Sequence, residues 1–227
     1  MDISAQLAEI ASYGGFFALT VGPDQGSGAQ AWRPVWRCYA DGYADLVDAT
    51  ARYYGTPDLR IGASLVHLAH ASRLWSPVLA CALAHRVLPR LDELQRAADG
   101  ARLRLPEPVG DPVGDDPAGE LYRAVVERHL HPLAAGLRVK LAPALLAGNV
   151  ASALFGAARA LCAARPDLRR RIAATTGDLL GTGILAGSGV STGAHLGFRR
   201  RSCCLFYRLP GQSVCGDCVF DRPPGRR

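Results

Sequence analysis

Apolar residues recur at helical spacing along most of the chain. Ile3, Leu7 and Ile10 predict a helix over residues 2–13, which Gly14 and Gly15 end. Residues 16–21 are a short apolar run bounded by glycines and read as a strand, followed by a Gly/Ser/Asp/Gln loop over 22–29. A helix is predicted over 38–54, with Tyr39, Tyr43, Leu46, Val47 and Tyr54 on its apolar side. Pro57 and Asp58 open another, running to about Leu74. Ser76 and Pro77 are read as the start of a further helix that ends before Pro89. The Asp99-Gly100 step, followed by alternation over 102–105, predicts a β-hairpin.

The stretch 106–117 holds four prolines and is the linker candidate. Helices are predicted near 118–140, 143–164 and 167–180, punctuated by Pro132, Pro143 and Pro166. The run 149–161 is rich in small residues, which let two helices approach closely, so it reads as a core helix. Residues 181–193 break all periodicity and read as a connector, with a lid as the sharper alternative. The expected fold class is mainly α: a multi-helix domain over 1–193 with a small β-hairpin, then a short C-terminal segment over 194–227.

Composition narrows the function classes. The chain has 227 residues, 49% of them hydrophobic, enough for one core without disulfide staples. Its net charge of +6 is almost all arginine, Lys140 being the only lysine. The arginines are scattered through helices, aromatic content is low, and no helix-turn-helix or RNA-binding signature is present, so nucleic acid is not an expected partner. No uncharged apolar stretch reaches the ~18 residues of a spanning helix, so no transmembrane segment is expected. Asp2 and the lack of a basic leader argue against a signal peptide. The expected location is the cytoplasm, where clustered thiols favour metal over disulfide.

The chemistry is concentrated near the C-terminus. Cys203, Cys204, Cys215 and Cys218 are spaced C-C-x10-C-x2-C. Four soft thiolates in one short stretch make a metal site for zinc or an iron–sulfur centre. Cys215-Gly216-Asp217-Cys218 is a knuckle whose two intervening residues fold the chain back onto one metal. The adjacent pair Cys203-Cys204 departs from zinc-ribbon spacing, because neighbouring side chains diverge and grip one small ion poorly. On spacing alone zinc and iron–sulfur both remain open. Cys38, Cys81 and Cys162 lie in apolar helical settings and read as core residues. His67 and His70 share a helical face and read as structural rather than as ligands, and His129 and His131 would diverge. No flavin or nicotinamide fingerprint is visible.

The segment from Arg201 to Arg208, Arg-Ser-Cys-Cys-Leu-Phe-Tyr-Arg, followed by Cys215-Gly-Asp-Cys218, resembles the FhuF-type siderophore-iron reductases. Arg60-Ile-Gly-Ala-Ser-Leu, Leu74-Trp75-Ser-Pro77 and the run from Gly148-Asn149 to Phe155-Gly156 are also similar to that family's helical region. The resemblance implies a [2Fe–2S] cluster held by Cys203, Cys204, Cys215 and Cys218. It also implies one-electron reduction of a ferric siderophore, with an external electron donor of the ferredoxin or flavoprotein type. No catalytic residue beyond the ligands is expected, because outer-sphere electron transfer requires none. Arg199, Arg200, Arg201 and Arg208 flank the cysteines. They are expected either as a solvated surface, or to tune the potential or dock an acidic donor. Two other classes stay open: a zinc-stabilised binding protein with a four-cysteine site, and an iron–sulfur sensor or electron carrier.

Overall fold

The computed structural model describes residues 1–23, 32–193 and 195–224. Its helices are α1 (Ser4–Ala11), α2 (Val35–Ala40), α3 (Ala44–Tyr53), α4 (Leu59–His85), α5 (Pro117–Tyr122), α6 (His131–Gly136), α7 (Pro143–Ala164) and α8 (Arg169–Leu180). Residues Arg123–Leu130, between α5 and α6, form a wider π-helical stretch of the same rod. The strands are β1 (Thr20–Val21), β2 (Trp32–Pro34), β3 (Val87–Pro89), β4 (Gln95–Ala97), β5 (Leu103–Leu105), β6 (Gly110–Pro112), β7 (Gly189–Thr192) and β8 (Gly197–Arg200). The fold is mainly α, as the periodicity predicts.

The core is built on α4 packed along α7. Small residues make the approach close: Gly62, Ala63, Gly148, Ala151 and Ala158 are all buried in these two helices. At Gly62 a Cβ would lie 2.6 Å from the Val47 carbonyl oxygen, so only glycine lets α3 sit so near. Asp58 caps α4 by accepting from the Arg60 amide at 3.1 Å. Arg86, at φ +58°, ends α4 in the left-handed conformation, its N–H donating to the Cys81 carbonyl.

Three expectations need correction. The two helices foreseen over 57–87 are one continuous helix of 27 residues, with Pro77 inside it. Proline removes one backbone donor, but Leu74 to Leu83 are buried without a break, and that packing outweighs the lost bond. The single helix foreseen over 38–54 is instead α2 and α3, broken at Gly42 (φ +58°) and Tyr43 (φ +55°). A Cβ on Gly42 would collide with the Gly136 carbonyl oxygen, so contact with the end of α6 forces the chain to turn there. Residues 16–21 form a strand only at β1, and the loop predicted over 22–29 lies mostly outside the described residues.

The Asp99-Gly100 hairpin is present as β4 and β5, with Gln95 opposite Arg104. It belongs to a four-stranded sheet ordered β1-β5-β4-β2, in which only β1 and β5 are parallel. Arg104 does not alternate outward but is buried, its guanidinium bonded to Gln95 Oε1 and held 4.8 Å from the Trp32 ring centroid. The proline-rich stretch 106–117 carries β6, which pairs with β3 and receives the N-terminal residues through an Ile3 N–H bond to Pro108. Residues 181–193 contain β7, which pairs with β8 in a second hairpin leading into the cysteines. By length and composition α7 could cross a membrane, but 67% of its apolar window is buried inside this fold.

Candidate metal centre

The cysteine segment is seated on the α4–α7 pair by polar contacts from both helices. Ser64 Oγ donates to the Cys204 carbonyl at 2.8 Å. Asn149 Nδ2 donates to the Ser64 carbonyl at 2.9 Å, and Asn149 Oδ1 accepts from Arg200 Nη2 at 2.5 Å. Ser152 Oγ bonds the Asp217 carboxylate, and the Arg200 amide donates to the Asp217 carbonyl at 3.0 Å. Phe198 stacks on Phe155 with centroids 4.6 Å apart. Ser64 of α4 and Asn149 and Ser152 of α7 thus hold the cysteine segment by hydrogen bonds.

Within the segment, Cys204 Sγ and Cys215 Sγ are 3.4 Å apart. Two thiolates bound tetrahedrally to one ion, each with a metal–sulfur bond of about 2.3 Å, would stand roughly 3.8 Å apart, close to this spacing. Cys203 and Cys218 lie near enough for their charges to act on their neighbours in the segment. Backbone amides point at the sulfurs: Leu205 N–H donates to Cys203 Sγ at 3.2 Å and Phe220 N–H to Cys218 Sγ at 3.5 Å. Such bonds stabilise negative charge on sulfur. Leu205 holds its turn at φ +71°, which swings the chain away immediately after the adjacent cysteines. Burial raises the Cys203 thiol. The Cys215 contact pulls Cys204 down to about 6, and the same contact pushes Cys215 up. Among the described residues no three His, Cys, Asp or Glu side chains close on a single point as a lone metal ion would require.

Of the four arginines that flank the cysteines, the structure separates one from the rest. Arg199 is ion-paired with Asp221 at 2.8 Å, Arg208 approaches Asp58 at 3.8 Å, and Arg201 is exposed. Arg200 is 2% exposed, with no carboxylate partner among the described residues, and its Nε and Nη1 have no hydrogen-bond partner. Ser202 Oγ beside it is also buried and unpartnered. A guanidinium is always charged, and burying it unpaired costs several kcal/mol. The environment therefore suits an anionic group, and an all-thiolate [2Fe–2S] centre, dianionic when oxidised, fits both the donor set and this charge.

The other sequence candidates lie outside the cysteine segment. Cys38 and Cys81 are buried, and burial raises the Cys81 thiol to about 12. His67, His70 and His129 are buried, whereas His131 is exposed. Nothing in the sequence signals that Tyr39 gathers two of them: its hydroxyl lies 2.7 Å from His70 Nε2 and 2.9 Å from His129 Nδ1. These partners are 31 and 90 residues from Tyr39, so no local pattern could reveal the cluster. Burial lowers His67 and His129 to about 4 and His70 well below its usual value, leaving neutral rings.

Comparison with known proteins falls on the same segment. A family model described as FhuF 2Fe-2S C-terminal domain matches residues 200–220, which span all four cysteines. No curated protein matches the chain. The donor set, the buried cation and this match agree on a [2Fe–2S] cluster, so the C-terminal segment of the chain is similar to the FhuF-type 2Fe-2S domain.

Proposed function

We propose that the protein is a ferric-siderophore reductase in which Cys203, Cys204, Cys215 and Cys218 hold the cluster. The observation that supports this reading is the buried Arg200, with no carboxylate partner among the described residues, in the family-matched segment that carries all four cysteines and the Cys204–Cys215 contact. When bound, the cluster supplies single electrons. Hard oxygen ligands hold Fe(III) strongly and Fe(II) weakly, so one electron is enough to loosen chelated iron. Residues 194–227 act as the electron-transferring segment and residues 1–193 as the support that seats the substrate. Ser64, Asn149 and Ser152 fix the segment's position, while Arg200 compensates its negative charge. An external donor of the ferredoxin or flavoprotein class returns the electron, and the reaction takes place in the cytoplasm.

The test is anaerobic purification, assay of iron and sulfide, and EPR of the reduced protein. The reduced protein is then mixed with ferric siderophores and a ferrous trap. Two irons and two sulfides per chain with trapped Fe(II) are the expected result. A colourless zinc protein would remove the reading. A reducible cluster that releases no Fe(II) from any chelate would point instead to a sensor or electron carrier.

A further inference from the structure

Between α3, α4 and the β4–β5 hairpin lies a cleft of about 650 Å³, within the usual range of small-molecule sites. Phe16, Tyr53 and Tyr54 supply aromatic faces to it and Arg73 a guanidinium, while Tyr43 and Arg96 lie buried beneath the wall. Arg96 is neutralised by Asp45 at 2.6 Å. Arg73 donates to the carbonyls of Ala69 and Ala101 and lies 5.0 Å from the Phe16 ring centroid; Asp99 is near enough to act on its charge but is not within ion-pair distance. Asp99, the acid of the lining, accepts from the Ala101 amide at 2.9 Å. The Tyr43 hydroxyl is buried without a hydrogen-bond partner.

The cleft adjoins the cysteine segment. Tyr54, in its wall, meets Phe206 edge to face with centroids 6.5 Å apart, and Phe206 is two residues beyond Cys204. Asp58 and Arg208 approach to 3.8 Å at the same corner.

We propose that this cleft binds the ferric chelate and prefers iron wrapped by aryl oxygens, of catecholate or phenolate type, over aliphatic hydroxamates. This rests on the reductase reading. Aryl rings stack on tyrosine and phenylalanine faces and on guanidinium planes. A ferric tris-catecholate is strongly anionic and is attracted by Arg73. An aliphatic hydroxamate has no aryl ring to stack on these faces. In the step itself, chelated Fe(III) gains one electron by way of the cysteine segment and becomes Fe(II). The external one-electron donor then restores the reduced state.

Binding is separated from electron transfer by a redox-inert gallium(III) tris-catecholate, titrated calorimetrically into the anaerobic holoprotein. Ala49 is an exposed residue of the wall, so Ala49→Trp obstructs the cleft without touching the core. This variant is expected to bind the gallium complex at least tenfold more weakly and to keep its iron content and EPR signal. Arg73→Gln is expected to weaken binding about fivefold, and a gallium tris-hydroxamate should bind the wild type at least tenfold more weakly than the catecholate. Wild-type affinity in Ala49→Trp, or no binding of the gallium catecholate to the wild type, overturns the site. Equal affinity for the hydroxamate overturns the preference. If the wild type binds in the cleft yet reduces no ferric chelate, the reductase reading fails and the site stands. If Ala49→Trp reduces chelates as fast as the wild type, the site fails and the reductase reading stands.

Discussion

Arg200 Nη2 donates to Asn149 Oδ1 at 2.5 Å, joining the strand before the cysteines to the middle of α7. This bond orients a buried cation that no described carboxylate neutralises. A positive charge stabilises the reduced, more negative centre more than the oxidised one, and so raises its potential. Arg200→Gln should therefore lower it. A unit charge several ångströms away, at an effective dielectric of about 20, is worth ~2 kcal/mol per added electron, or roughly 50–100 mV. Arg200→Lys keeps the charge but loses the planar fork, so it should recover most of the potential and little of the stability. Anaerobic redox titration followed by EPR reads both. A fully loaded Arg200→Gln protein with the wild-type potential would contradict this role.

Gly148 makes a second test, because two physical effects oppose each other there. Glycine inside a helix costs about 1 kcal/mol relative to alanine. A Cβ at this position, however, would collide with Ser202 Oγ and stand 3.0 Å from Arg200 Nη2. Gly148→Ala should push Arg200 and Ser202 aside, and the clash should outweigh the gain in helix propensity. The expected outcome is a net loss of roughly 1–3 kcal/mol in stability and fewer irons per chain, with helical circular dichroism unchanged. A more stable variant with full iron content would show that the segment does not sit tightly on α7.

Much of this was legible in the sequence, for identifiable reasons. Helical periodicity marks α1, α7 and α8 because each buries one stripe or lies wholly in the core. The Asp99-Gly100 step marks the hairpin because its turn demands particular residues. The run of cysteines marks the metal segment because no core needs four thiols so close together. Pro77 and Gly42 misled in opposite senses: burial carries α4 through a proline, while contact with Gly136 stops α2 where periodicity would have continued. The Tyr39–His70–His129 cluster and the burial of Arg200 depend on contacts between distant elements. The three consecutive arginines look alike in the sequence, and only packing against α7 distinguishes Arg200.

The buried histidines give the protein a defined acid sensitivity. His67 and His129 titrate near 4 in the fold, chiefly through burial, against about 6.5 when unfolded. Around them Arg200 opposes protonation of His67 and Arg128 opposes that of His129, while Asp92 favours protonation of His129. Below pH 6.5 the unfolded chain binds protons that the folded chain refuses, so stability is complete above that value and is lost as pH falls toward 4. The slope should approach one proton per histidine across the window. His129→Gln, which retains an acceptor for the Tyr39 hydroxyl, should flatten it by about one proton. Urea denaturation at a series of pH values measures this, and constant stability from pH 7 to 4.5 would refute it.

The cysteine segment and the helical core should also separate under mutation. Cys204 Sγ contacts Cys215 Sγ, but the Cys204 residue is held in place through its backbone carbonyl by Ser64. Cys204→Ser changes only the sulfur, so the Ser64 bond and the stacking of Phe198 on Phe155 remain. The core of α4 and α7 contains none of the four cysteines. Iron and sulfide content should fall to a small fraction of wild type, while far-ultraviolet circular dichroism keeps its helical amplitude. Ser64→Ala should do the reverse in part: it removes a buried hydrogen bond worth about 1–2 kcal/mol, leaves all four thiols intact, and should loosen the segment enough to lower thermal stability and not cluster chemistry. Global unfolding in Cys204→Ser would mean that the segment is an integral part of the core and not a centre carried upon it.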